Sequence, residues 1–116
     1  MPVIRSAEVG FTPGFVQNYQ RRVLVSPDVG SAAVTLGEAI MNPDAEIPMH
    51  THPVEQVMVI TRGTATVVMG EETHTLEPSD VILAPAGVKH MLANHGKEPL
   101  GFLFFFPAIE VQLDLV

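Results

Sequence analysis

Glycine and proline interrupt this chain so often that no long regular element is expected to form. The sequence has 116 residues, with nine glycines and ten prolines spread fairly evenly along it. Short runs rich in Val, Ile, Thr and Phe lie between them, which is typical of strands separated by turns. No segment keeps an apolar period of 3.6 residues over three turns, so a substantial helix is not expected. The sequence therefore predicts a protein made mostly of β-strands.

Eight strands are predicted, separated by turn sequences such as Asn42-Pro43-Asp44 and Arg62-Gly63. They are expected near Arg21–Val25, Ala32–Met41, Gln56–Thr61, Ala65–Met69, Thr73–Leu76, Asp80–Ala84, His90–Asn94 and Leu100–Phe106. Short strands in this number must close into a barrel or a double-sheet jelly roll to hide their edges. The predicted architecture is a small, single-domain, all-β barrel over residues 1–116.

Composition narrows the classes of partner. Apolar residues make up 47% of the chain and charged residues 16%, which suits a folded domain with a real core. The formal net charge of −7 opposes binding to nucleic acids and to anionic membrane surfaces. No apolar stretch approaches the roughly 20 residues needed to span a bilayer. We expect no nucleic-acid or membrane partner and, since no segment resembles a signal peptide, a cytoplasmic location.

The chain contains no cysteine, so any metal must be held by His, Gln or carboxylate groups. His50 and His52 are separated by one residue, and the strand period of two would send both imidazoles to the same face. Neutral imidazole nitrogen suits Zn, Ni, Fe and Mn. Taken alone, the pair is explained equally well as two polar residues flanking a proline-bounded turn.

Two longer stretches resemble the paired motifs of the cupin family and together cover about half of the chain. Residues 44–63 are similar to G-x5-H-x-H-x3,4-E-x6-G, and residues 79–94 are similar to G-x5-P-x-G-x2-H-x3-N. The matching residues are His50, His52, Gly63, Pro85, Gly87, His90 and Asn94. The resemblance implies a small double-stranded β-helix, the cupin jelly-roll barrel.

Three residues depart from the family pattern. Asp44 and Ser79 stand where the family has glycine, and both residue types are natural alternatives at turns. Gln56 occupies the position of the family's glutamate. The last departure matters most, because a neutral amide replaces the one anionic ligand of the usual set.

The resemblance implies one divalent metal ion held by His50, His52, Gln56 and His90, with His90 on a strand facing the other two across the barrel. Because three imidazoles and an amide leave the ionic charge uncompensated, the ion would be a strong Lewis acid. This ligand set favours Zn, Ni, Co, Fe or Mn over Mg or Ca. Glu55 is the alternative fourth ligand, although strand alternation would point it outward if Gln56 points inward.

Cupin-like enzymes take their specificity from residues around the barrel mouth, and the candidates in this chain are mostly apolar. They are Met49, Met58, Ile60, Leu92, Phe104, Tyr19 and Arg62. Core packing explains any single apolar member equally well. Tyr19 is expected to be an exposed strand residue. In a second interpretation its side chain reaches the mouth of the barrel. Arg62 is expected to be exposed to solvent.

Consecutive rings at Phe104, Phe105 and Phe106 cannot all point inward, because side chains alternate along a strand. At least one ring must lie on the outer face, and a homodimer interface would cover it. His74 and His95 match no motif position and are expected at the surface. Asn94 is expected to stabilise the turn before Gly96.

The leading functional hypothesis is a metal-dependent cupin that acts on a small organic molecule by Lewis-acid chemistry. The ligand set resembles that of small cupins with lyase or isomerase chemistry on sugar acids or related carbonyl compounds. An Fe(II) dioxygenase is a second interpretation of the same site. Because acid and base side chains are scarce, a non-catalytic module that binds or senses a small molecule is the alternative. A third and weaker hypothesis is a domain detached from a transcription regulator, since no helix-turn-helix pattern is present.

Overall fold

The computed structural model describes all 116 residues and consists almost entirely of antiparallel β-strands. The strands are β1 Thr12–Pro13, β2 Tyr19–Val25, β3 Thr35–Met41, β4 Glu46–Thr51, β5 Gln56–Arg62, β6 Ala65–Met69, β7 Glu72–Leu76, β8 Val81–Ala84, β9 His90–Ala93, β10 Leu100–Phe106 and β11 Asp114–Leu115. Two short 3-10 turns lie at Ser6–Glu8 and Pro27–Val29. Neither turn has the length or the apolar content that a membrane-spanning helix needs.

Two sheets build the barrel and confirm the all-β jelly-roll fold predicted from the sequence. The larger sheet has six strands in the order β1-β2-β3-β10-β5-β8, and the smaller has five in the order β11-β4-β9-β6-β7. Many neighbours, such as β3 and β10, are far apart in sequence, which is the connectivity of a double-sheet jelly roll. The inner faces of the sheets share a single core of 15 buried apolar residues.

The phenylalanine run on β10 shows how side-chain alternation divides the barrel into inside and outside. Phe102, Phe104 and Phe106 are 2%, 4% and 7% exposed and point into the core. Leu103 and Phe105, between them, are half-buried on the outer face. Burying three rings on one strand contributes heavily to the hydrophobic stabilisation of this fold.

All eight predicted strands are present, with ends displaced by no more than a few residues, and three further strands were missed. β1 and β11 are two-residue strands, too short to give a periodic signal. β4 contains Pro48 and is followed by Pro53, both of which argue against a strand. Pro48 is tolerated because it falls in a bulge between Ile47 and His50, where the pairing of β4 is interrupted.

The positions of the motif glycines have a clear backbone explanation. Asp44 and Ser79, which replace glycine, have φ angles of 73° and 77°, in the left-handed region. Gly63 has a φ of 74°, and a Cβ atom there would lie 2.4 Å from the carbonyl oxygen of Pro99. Glycine is therefore required at residue 63, whereas at the other two positions a side chain is accommodated at a cost in backbone strain.

Replacing Ser79 by glycine should stabilise the protein. The substitution relieves the left-handed strain, and part of that gain is offset by the greater freedom of glycine in the unfolded chain. We expect the free energy of unfolding to rise by about 0.5–1 kcal/mol, measured by urea denaturation. Ala86→Gly, at an exposed turn residue without a positive φ, is the control and should destabilise. A loss of stability in Ser79→Gly would contradict the strain argument.

Candidate metal centre

A β-bulge places two histidines opposite each other on neighbouring strands. β4 pairs with β9, Ile47 lies opposite Leu92, and His50 lies opposite His90. Three residue steps on β4 therefore match two on β9, so one extra residue is accommodated between the two pairs. The predicted position of His90, across the barrel from His50, is wrong. Both lie on adjacent strands of the five-stranded sheet, because the chain returns beside β4 rather than opposite it.

The third histidine, His52, follows directly after β4 and completes a compact cluster. The ring centroids of His50 and His90 are 4.3 Å apart, and those of His52 lie 4.8 Å and 5.5 Å from these two. One ring nitrogen from each histidine lies within 4.8 Å of the other two nitrogens. All three side chains are buried. The three-histidine group can hold a metal ion.

Each imidazole is fixed in orientation by a backbone carbonyl. The Nδ1 atoms of His50, His52 and His90 lie 2.7 Å, 2.8 Å and 3.0 Å from the carbonyl oxygens of Pro48, Gln112 and Val88. Because a carbonyl oxygen only accepts, each Nδ1 atom must carry the proton and donate it. Each Nε2 atom of the neutral ring is then left with a free lone pair. This outer hydrogen bond is the usual arrangement behind a metal-binding histidine.

Gln56 approaches this cluster from the opposite sheet, at the start of β5. Its Oε1 atom lies 3.2 Å from the Nε2 atom of His90, and both side chains are buried. With the proton of His90 on Nδ1, this contact brings two lone pairs together unless the amide is turned so that its NH₂ group donates. A cation between the two atoms would satisfy both, so the donor set fits a metal ion. Glu55, one residue earlier, is exposed.

The surroundings of His50 and His52 favour the neutral form of both rings. Burial lowers the pKa of His50 to about 4, with the hydrogen bond to Pro48 opposing the shift and the charges of His90 and His52 adding to it. Burial also lowers the pKa of His52, partly offset by its hydrogen bond to Gln112. Neutral imidazole is the form that binds metals, so the fold prepares these side chains for ligation.

The histidines lie at the base of a small, mostly apolar cavity, called here the inner cavity. Its volume is about 70 Å³, and nine of its 14 lining residues are hydrophobic. These are Phe15, Tyr19, Ile47, Met58, Leu92, Phe102, Phe104, Phe106 and Leu113. The five lining residues that are not hydrophobic are the three histidines, Gln56 and Arg21. No carboxylate or lysine lines this cavity.

A larger outer cavity adjoins the inner one. Its volume is about 400 Å³, and it shares six lining residues with the inner cavity. The shared residues are Phe15, Arg21, His52, Phe104, Phe106 and Leu113. Ser26, Asp28 and Thr35 add polar groups to its wall, and the C-terminal segment adds Ile109 and Val111. The inner cavity, with the histidine cluster at its base, therefore adjoins a wider cavity of mixed polar and apolar lining.

Residues 37–106 match the profile of the cupin domain family. The chain belongs to the cupin family. This cupin is 28% identical over 111 residues to germin-like protein 1 of Brassica napus, covering 90% of this chain and 50% of that protein. It is 33% identical over 98 residues to a gentisate 1,2-dioxygenase of a Ralstonia species, covering 76% of this chain and 27% of that protein. The chain spans half the length, or less, of the germin-like and auxin-binding relatives that it matches.

A solved structure extends the similarity in fold to the whole chain. The polyketide cyclase RemF from Streptomyces resistomycificus superimposes with a TM-score of 0.91 at 20% sequence identity, covering 100% of this cupin and 85% of that protein. At this identity the match shows a shared fold. It means that the elements outside the family match, from β1 and β2 to the C-terminal segment, also have counterparts in that protein.

The structure brings together most of the residues singled out from the sequence. Met58, Leu92, Phe104 and Tyr19 line the inner cavity with the four candidate ligands. Tyr19 is only 6% exposed, so the expectation of an exposed strand residue is wrong. It is buried because the chain before β2 folds over it, with Gly14 against its ring and the Phe15 ring 6.2 Å away.

Three pocket candidates lie elsewhere. Ile60 is buried in the core away from the cavity, and Arg62 is exposed. Met49 is half-buried and does not line the cavity, because it is the neighbour of the inward-pointing His50 on β4 and side chains alternate along a strand. His74 and His95 are exposed. Asn94 is fully buried and caps the turn by accepting a hydrogen bond from the Gly96 amide at 3.0 Å.

Sequence reasoning missed several cavity residues, chiefly Arg21, Phe15, Ile47 and Leu113. Arg21 carried an available signal, since it has the same strand parity as Tyr19. Ile47 carried none, because alternation from His50 excludes it and only the bulge turns it inward. Phe15 and Leu113 come from terminal segments whose path over the cavity depends on tertiary contacts.

The metal-free protein should lose stability as the pH falls from about 6.5 to about 4. The pKa of His50 is near 4 in the folded state and near its ordinary value of 6.5 in the unfolded state. Between these values the unfolded chain binds more protons, so acid favours unfolding. Urea denaturation in EDTA at about pH 7.5 and about pH 5 measures the change. His50→Gln should weaken the pH dependence, whereas His74→Gln, at an exposed site, should leave it intact. An unchanged dependence in His50→Gln would contradict the assignment.

Proposed function

We propose that this cupin is a metal-dependent enzyme that acts on a small, largely apolar carbonyl compound. His50, His52, Gln56 and His90 would hold one divalent transition metal, with Zn, Ni, Co, Fe or Mn as the candidates. When bound, the ion would polarise a carbonyl or enol oxygen of the substrate. The observation that carries the proposal is the convergence of three buried, hydrogen-bonded imidazoles and a buried amide at the base of an apolar cavity.

The lining of the cavity supports an apolar substrate over a sugar acid. A sugar acid presents many hydroxyl groups, and each would need a hydrogen-bond partner on burial. The inner cavity offers few such partners beyond the candidate ligands, Tyr19 and Arg21. The aromatic and aliphatic walls of the two cavities instead match a hydrocarbon-rich molecule that places one reacting oxygen in the inner cavity. Among the relatives, the name gentisate 1,2-dioxygenase is consistent with an aromatic substrate, and the name polyketide cyclase with a carbonyl compound.

Tyr19 is the side chain best placed to donate a hydrogen bond to a bound substrate. It lines the inner cavity, and the side-chain hydrogen bonds of the cavity residues, made by His50, His52 and His90, do not involve its hydroxyl. Burial raises the pKa of Tyr19, with the nearby Arg21 guanidinium partly opposing the shift. The phenol therefore keeps its proton at neutral pH and remains a donor. This is the role expected of a group that stabilises negative charge developing on a substrate oxygen.

One observation favours the alternative of a non-catalytic binding or sensing module. No carboxylate or lysine lines the inner cavity, so the chain supplies few groups able to take a proton from a substrate. Measuring turnover therefore distinguishes an enzyme from a non-catalytic binding module. Measuring oxygen consumption by the iron-loaded protein distinguishes an Fe(II) dioxygenase from an enzyme that uses Lewis-acid chemistry.

Metal content tests the ligand set directly. Protein purified without chelators or a nickel column should contain about one equivalent of transition metal, measured by elemental analysis. Gln56→Ala should lower zinc affinity at least tenfold, roughly the effect of losing an important group around a metal. The matched variant Glu55→Ala, which removes the adjacent exposed carboxylate, should bind zinc like the wild type. Loss of zinc in Glu55→Ala but not in Gln56→Ala would contradict the assignment.

Turnover is tested with an aromatic ketone. We expect the zinc-loaded protein to accelerate exchange of solvent deuterium at the methyl carbon next to the carbonyl of 2-acetylnaphthalene, followed by NMR. His90→Ala should abolish the acceleration, and Tyr19→Phe, which removes only the hydroxyl, should reduce it about tenfold or more. Binding of 2-acetylnaphthalene without any acceleration over zinc in buffer would favour the non-catalytic module.

We also propose that a second copy of this chain covers the outer face of the six-stranded sheet. Leu36, Phe105, Val57 and Leu83 lie in register across four neighbouring strands, and all point outward. A second apolar row, Leu103, Val59 and Val81, runs beside it, and Val81 and Leu83 are 60% and 50% exposed. A continuous apolar face of this kind usually marks an interface, and a two-fold dimer would bury it against itself.

Oligomeric state tests this interface. The wild type should run as a dimer in light scattering coupled to size-exclusion chromatography. Leu83→Lys should shift it to a monomer, because each dimer would bury two unpaired charges. The control Thr73→Lys places the same charge on β7 of the other sheet, where the residue is exposed, and should leave the dimer intact. A monomeric wild type at high concentration would contradict the proposal.

A further inference from the structure

Arg21 is the only permanently charged side chain that lines the inner cavity. It lies on β2 opposite Ala39 of β3, and it shares the inward face of β2 with Tyr19. Its guanidinium carbon is 5.3 Å from the centroid of the Phe104 ring, which lines both cavities. Arg21 also lines both, so the cation is held over an aromatic ring where the two cavities meet.

The guanidinium of Arg21 has no partner within the protein. It makes no side-chain hydrogen bond and no ion pair with a carboxylate, and none of its nitrogen atoms is buried without a partner. The neighbouring Arg22 points outward and is fully engaged, with Glu38 and with the carbonyl oxygens of Ser6 and Val9. Five donors of Arg21 are therefore free to face whatever occupies the cavities.

The sizes of the two cavities limit how a substrate can be placed. The inner cavity, at about 70 Å³, is less than half the roughly 150 Å³ of an apolar protein cavity that accepts benzene. It has room for a reacting group and not for a whole ring system. The outer cavity, at about 400 Å³, falls within the usual range for small-molecule sites. A substrate that reaches the histidine cluster must therefore extend past Arg21 into the outer cavity.

We propose that Arg21 is a specificity-determining residue that binds an anionic oxygen group, a carboxylate or an ionised phenol, on an elongated aromatic substrate spanning both cavities. This inference rests on the proposed function, because the reacting end of the substrate is placed at the histidine cluster. A guanidinium matches a carboxylate with two parallel hydrogen bonds, and the apolar surroundings strengthen them. The only carboxylate among the residues lining either cavity is Asp28, on the wall of the outer cavity, and it is not paired with Arg21.

The test compares two probes of nearly the same shape, 2-naphthoate and its neutral analogue 2-naphthamide, by isothermal titration calorimetry. It uses the full chain in metal-free and zinc-loaded forms near pH 8. The wild type should bind the anion at least tenfold more tightly than the amide in both forms, as expected for hydrogen bonds to a charged group. Arg21→Gln should remove this preference. Arg21→Lys keeps the positive charge but cannot form the two parallel hydrogen bonds of a guanidinium, so it should retain part of the preference. Arg62→Gln removes the same charge at an exposed site that lines neither cavity, and it should behave like the wild type.

Each outcome separates this inference from the proposed function. Equal affinity for both probes in the wild type, or a preference that survives in Arg21→Gln, overturns the role of Arg21. A preference that appears only with zinc and survives in Arg21→Gln places the anion at the metal centre, which overturns the inference and leaves the proposed function standing. A preference that depends on Arg21 in a protein that binds no zinc supports the inference and removes the metal-dependent function. Thermal unfolding of each variant confirms that it is folded.

Discussion

The pairing of β4 with β9 is the constraint on which the candidate site depends. One extra residue on β4 brings His50 directly opposite His90 and turns Ile47 into the cavity. Without that bulge, regular alternation would send Ile47 and His50 to opposite faces of the sheet. The cost of an interrupted ladder is tolerated at a position already occupied by Pro48, which cannot donate a backbone hydrogen bond. The residue that interrupts the strand and the residue that carries the chemistry are therefore two positions apart.

Burial and backbone hydrogen bonds act together on the imidazoles. Desolvation favours the neutral ring, and each carbonyl acceptor selects the tautomer that carries its proton on Nδ1. Three buried rings with lone pairs converging beside the Gln56 amide are poorly satisfied by one another. A polar cluster of this kind costs free energy to fold unless something binds to it, which is how functional sites differ from ordinary cores.

The cavity above the cluster combines walls from distant parts of the chain. β2 contributes Tyr19 and Arg21, β10 contributes Phe104 and Phe106, and the C-terminal segment contributes Leu113. The carbonyl of Gln112, next to Leu113, also holds His52 in orientation. The same short segment thus closes the cavity and positions a candidate ligand, which couples access to the site with its geometry.

The sequence by itself determined the all-β class, eight of the strands, the identities of the candidate ligands and the inward side of β5, because these depend on local turn chemistry, a period of two and the spacing of two motifs. Tertiary structure alone decided that His90 lies beside His50, that Tyr19 is buried, that Ile47 faces the cavity and that Arg21 faces it without a hydrogen-bonding or ionic partner. Those outcomes depend on strand order, on one bulge and on how the terminal segments pack. Alternation along a strand defines two faces, but only the pairing of distant strands determines what each face meets.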